Sequence, residues 1–150
     1  MSLQKVLFSG ASATTAMTLF SFIVSDITGK HYKETDLLKR YLQKPGMKED
    51  LAAFIAWTAH YTVGELFAML YHLHWKKKNE APSAANGALL GACSGVIAIL
   101  TWKKILQTCP NLKLTNRSDY YRHLLIAHIV FGIVAAGTYR KIDSKEKLRD

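Results

Sequence analysis

At 150 residues the chain has the length of a single domain. Its 49% hydrophobic content and mean hydropathy of +0.03 conceal a segregation, with uncharged apolar blocks alternating with strongly charged connectors. The formal charge of +9 sits in those connectors, without the basic helix face and interleaved aromatics of a nucleic-acid footprint, and two cysteines make neither a disulfide framework nor a metal spacing.

The first block, residues 6–25, carries no charge, and its middle is built from Ser9, Gly10, Ala11, Ser12 and Ala13. Small residues of this kind let helix backbones approach closely in lipid. Ala11, Ala13 and Ala16 fall inside the apolar run rather than after it, which reads as an uncleaved span and not as a signal peptide. In the connector that follows, Thr35 or Asp36 is placed to cap a short helix over 35–43. Its Leu37, Leu38, Tyr41 and Leu42 share one face, and Pro45 and Gly46 close it. Such a helix would lie in the membrane interface, with a solvated loop as the alternative.

The second block, residues 51–74, carries a single charge at Glu65 and ends on Trp75, Lys76, Lys77 and Lys78. The third, residues 84–102, places Gly87, Gly91 and Gly95 at strict four-residue spacing, a ridge that predicts tight helix packing. The fourth, residues 120–139, follows a candidate cap at Ser118 and ends at Arg140 and Lys141, with Tyr120, Tyr121, Arg122 and His123 at its opening interface. Blocks of about 20 apolar residues match a hydrocarbon core of about 30 Å. The expected fold is therefore all-α, an integral membrane four-helix bundle. The basic residues divide nine against eleven between its two sides, and the Lys76–Lys78 cluster tips the termini towards the cytoplasm.

Two blocks resemble each other. Ala59-His60 and Ala127-His128 are each followed by Gly64 or Gly132, Ala68 or Ala136, and Tyr71 or Tyr139 at matching intervals. The other two share Gly10-Ala11 and Gly91-Ala92. This predicts two repeated helical hairpins, a parallel internal repeat about an axis along the membrane normal. In these residues the chain resembles the YagU-like four-span bacterial inner-membrane proteins of unknown function. The resemblance implies the bacterial inner membrane and a four-span architecture, and it implies no activity. The connector after the first block and Glu65 have no counterpart in it.

His60, Gly64, Phe67 and Tyr71 form one helical stripe, and His128, Gly132, Ala135 and Tyr139 form another. Histidine is costly to place at this depth, so the pair marks a candidate intramembrane site for a ligand, a proton or a partner. Each imidazole bonded to a neighbouring helix is the plainer reading. A sharper one is a bis-histidine haem b protein, with iron between His60 and His128 and a glycine one turn along leaving room for the macrocycle. A third is an accessory subunit, or homo-oligomer, that docks through Gly87, Gly91 and Gly95. Glu65 lies on a different face of its helix, about 140° from His60. An ionised carboxylate there costs about 2.5–3.5 kcal/mol, so Glu65 is expected to be neutral, paired or in a wet crevice. No grouping of nucleophile, base and orienter is recognisable, and an enzyme is not expected.

Overall fold

Uncharged runs of Ala, Leu, Ile and Met form long helices, and two of these stop where the backbone turns left-handed. Gly29 (φ +66°) follows the first, and Asn79 (φ 52°) ends the third. The computed structural model describes residues 3–109, 112, 114 and 116–147. Within them are five helices: α1 (Leu3–Thr28), α2 (Glu34–Leu42), α3 (Glu49–Lys78), α4 (Ala84–Thr108) and α5 (Arg117–Lys147). Ser83 caps α4 by accepting from the Asn86 amide. Asn116, and not the expected Ser118, caps α5 by accepting from the Asp119 amide at 3.2 Å. The cap of α2 is Lys33, which makes no side-chain cap bond, so Thr35 and Asp36 lie inside that helix.

α5 is the central element. It packs along both α1 and α4, while α3 packs along α1 and reaches α5 through side chains such as Tyr71 and His72, and α2 rests on α3. One core cluster joins Met17, Tyr71, Trp75, Phe131 and Tyr139. The other joins Tyr32, Leu37, Trp102, Leu106, Tyr120 and Leu124.

Three helices, α1, α4 and α5, are long and apolar enough to cross a membrane. The expected four-helix bundle of two repeated hairpins is corrected on two counts. At 30 residues α3 has ample length, but Thr58, His60, Tyr61, Thr62 and Glu65 interrupt its apolar run, and it is not among the candidate spans. α2 is a fifth helix that buries Glu34, Thr35 and Leu37 instead of lying loose at the surface.

The repeat fails in the packing as well. A two-fold relating α1 to α4 and α3 to α5 would match the extensive α1–α5 contact with an equal one between α4 and α3. The described residues have no such contact. Nor are the paired residues equivalent: Gly64 meets the Thr14 side chain, whereas Gly132 meets the backbone of Gly87. A shared string of small residues repeats because close packing recruits small residues wherever it occurs.

Polarity is distributed inside-out. The buried face of α1 is Ser9, Gly10, Ala13, Thr14, Met17, Thr18, Ser21 and Ser25. The exposed side chains include Phe8, Leu19, Ile23, Phe54, Leu66, Leu70, Leu89, Ile97 and Leu100, spread over α1, α3 and α4. A belt of this breadth does not suit water.

Candidate functional site

A cleft with α3 and α4 among its walls is lined by residues of all five helices. Its volume is about 180 Å³. The walls are Met17, Val63, Phe67, Ile97, Ala98, Trp102, Leu124 and Phe131, and its polar groups include Glu34, His60, Thr101 and His128. The structure thus brings His60, Gly64 and His128 to one cavity. Tyr71, Tyr139, Gly132 and Glu65 are not part of its lining.

The hydrogen bonds fix both imidazole tautomers. Thr18 donates its only hydroxyl proton to the Thr14 carbonyl at 2.7 Å, so at 2.9 Å it accepts from His60 Nε2–H. His60 Nδ1 keeps its lone pair. His128 Nδ1 lies 2.9 Å from the Leu124 carbonyl, which only accepts, so Nδ1 carries the proton and Nε2 keeps the lone pair. Each ring is anchored by one nitrogen and offers an acceptor at the other. The two anchors differ, a side chain of α1 for one and the ring's own helix for the other.

The space expected for a haem is filled. A Cβ at Gly64 would strike Thr14 Oγ1, and one at Gly132 would strike the Gly87 carbonyl oxygen. His60 Nε2 is engaged by Thr18. These residues do not fit an iron clamped between the two rings. Among the described residues, no group of three His, Cys, Asp or Glu is placed to hold a metal ion.

The glycine ridge is occupied within the chain. A Cβ at Gly87 would meet the Gly132 carbonyl, one at Gly91 the His128 carbonyl, and one at Gly95 would lie 3.1 Å from His128 Cβ. The ridge seats α4 on α5 and so sets the height of His128 in the cleft. It offers no free docking face.

Glu65 sits elsewhere. Its carboxyl packs where a Cβ on Gly10 would be, against α1, and its Oε2 is buried without a hydrogen-bond partner. Tyr71 donates to Ser94 Oγ at 2.7 Å, since Ser94 gives its own proton to the Gly91 carbonyl. Tyr139 pairs with His72 Nδ1 at 2.6 Å.

No family model, curated protein or solved structure matches this chain. Nothing in those comparisons identifies the YagU-like family that the sequence resembles.

The residue that sequence reasoning missed is Glu34. It opens α2, is buried, and lines the same cleft as His60 and His128. Ser21 donates to Glu34 Oε1 at 3.0 Å and accepts from His123 Nε2 at 2.9 Å. His123 is itself sandwiched between Phe20 and Tyr32, with ring centroids at 5.4 and 4.3 Å and near-parallel planes. Burial pushes the Glu34 carboxyl up to about 7, against the opposing pull of its backbone and Ser21 hydrogen bonds. The available signal was the pair Ser21 and Ser25 on the polar face of α1, which needs polar partners once buried.

Proposed function

We propose that the chain is a small integral membrane protein that binds a small, mostly apolar molecule in the cleft between α3 and α4. Its α1, α4 and α5, three helices apolar enough to cross a bilayer, support the membrane placement. One observation carries the binding reading: two anchored imidazoles, each with a ring nitrogen left to accept, line one apolar-walled cavity. Structural histidines sealed in a core would have both nitrogens satisfied or packed against carbon. A cleft of about 180 Å³ exceeds the apolar cavity of about 150 Å³ that takes up benzene, so one ring with a short polar arm is the right size. The bacterial inner membrane, which the family resemblance implies, is the proposed location.

The test uses a neutral probe, 2-phenylethanol, added to the protein in nanodiscs with ¹⁵N-labelled histidine. Its hydroxyl should shift the ring nitrogens of His60 and His128 and leave those of His31 and His74 unmoved. Ala98→Phe, which fills the cleft, should abolish the shift. Uniform small shifts over all six histidines, unaffected by Ala98→Phe, would sink the reading.

A further inference from the structure

Beside the ionisable Glu34 carboxyl, the unengaged polar atoms of the cleft are acceptors. His60 Nδ1 and His128 Nε2 keep their lone pairs, and Thr101 gives its hydroxyl proton to the Ile97 carbonyl at 2.9 Å, leaving an accepting oxygen. No lysine or arginine lines the cavity, and since the imidazole N–H groups are engaged by Thr18 and the Leu124 carbonyl, the indole of Trp102 is the remaining ring N–H of its lining. Phe67, Phe131 and Trp102 supply aromatic rings, which attract cations. An acceptor-rich, aromatic-walled cavity with one acidic group complements a donor-rich cation and penalises an anion, whose lone pairs would face lone pairs.

We infer that the cleft selects a small protonated amine with an aromatic or short aliphatic body, its ammonium directed to the Glu34 carboxylate and the free imidazole nitrogens. This rests on the ligand-binding reading above and names the ligand class. The carboxyl is protonated in the empty cleft below neutral pH, since burial disfavours its charge and raises it to about 7. Binding is then an exchange: the neutral carboxyl releases one proton to solvent, and the resulting carboxylate pairs with the ammonium. The groups that bear on Glu34 are His123 of α5, whose Nε2 is 3.9 Å from Oε1, and Tyr120 of the same helix. His60 of α3 and His128 of α5 face the shared cavity, and α1 contributes the uncharged Ser21. None is a fixed cation that would hold the carboxylate ionised without a ligand.

The experiment is calorimetry on the full chain in nanodiscs, with 2-phenylethylamine against its neutral counterpart 2-phenylethanol and empty nanodiscs as control. The amine keeps its charge from pH 6 to 8. Its affinity should rise about tenfold over that interval, and at pH 6 binding should release close to one proton, read from buffers of different ionisation enthalpy. 2-Phenylethanol should show neither effect. Glu34→Gln, which still accepts from Ser21, should remove the proton release and bring the amine's affinity down at least tenfold relative to the alcohol's. The proton count on the unmodified protein needs no variant to fold. Equal, pH-independent binding of amine and alcohol, both lost in Ala98→Phe, would overturn the amine inference and leave the ligand-binding reading standing. Binding of neither would overturn both.

Discussion

Glu34 is the residue on which the cleft's chemistry turns, and its placement has a consequence for stability. A carboxyl held up at about 7 in the folded protein, against an ordinary value of about 4.3, binds its proton more tightly folded than unfolded. The stability this contributes is present in full below the unfolded value and is lost as pH rises through about 7. Thermal unfolding in nanodiscs should therefore show Tm falling between about pH 5 and pH 8, and Glu34→Gln should flatten that slope. A steeper slope in the variant would contradict the burial of this group. The tautomer of His60 gives a second residue-scale prediction. Thr18→Val removes the acceptor for Nε2–H, so the ring should lose its single-tautomer ¹⁵N signature while His128, anchored to Leu124, keeps its own. Neither Glu34 nor Ser21 was legible as part of a site, because Ser21, Glu34 and His123 are separated by 13 and 102 positions and only the fold joins them. His60 and His128 were legible, since histidine in an uncharged run is conspicuous. Their different anchors were not.

Among the elements, the apolar blocks announced α1, α4 and α5, because an uncharged run of that length has few alternatives to a long buried or lipid-facing helix. α2 was legible as one of two alternatives, a short interfacial helix from its apolar face and the Pro45-Gly46 stop or a solvated loop, and its place in the cleft wall was not. The glycine ridge was legible as a packing surface, but periodicity names no partner. The structure supplies α5, at such close range that Gly91→Leu would drive a side chain into the His128 carbonyl. That change should cost about 1–3 kcal/mol or break the α4–α5 contact, and it should displace His128 along with it. Comparing Gly91→Leu with Gly137→Leu separates the cases, since a Cβ at Gly137 meets nothing within 4 Å and should be tolerated. α5 runs past the expected end of the apolar span at residue 139, and there Lys5 of α1 pairs with Asp143 and Glu146, at 2.5 and 2.7 Å. Lys5→Met should raise amide exchange over residues 143–146 and leave the middle of α5 protected.

For the whole molecule, the inside-out polarity sets what the chain can live in. Ser9, Thr14, Thr18, Ser21 and Ser25 of α1 face inward, and leucine, isoleucine and phenylalanine cover much of the outside. Cys93, on the exposed side of α4, reports on this directly. In nanodiscs it should react with a lipid-soluble maleimide and resist a charged, water-soluble one, and detergent dilution should reverse the shielding. Equal reaction with both reagents would place this face in water. The mouth of the cleft belongs to the same outer surface: its rim residues Val63 and Ile97 are about half exposed, on α3 and α4. On the proposed binding reading, an occupant would reach His60 and His128 from the hydrocarbon phase and not from bulk water. Its effective dose is moles per mole of lipid, so two molecules with identical contacts will differ in apparent potency by the ratio of their membrane partition coefficients.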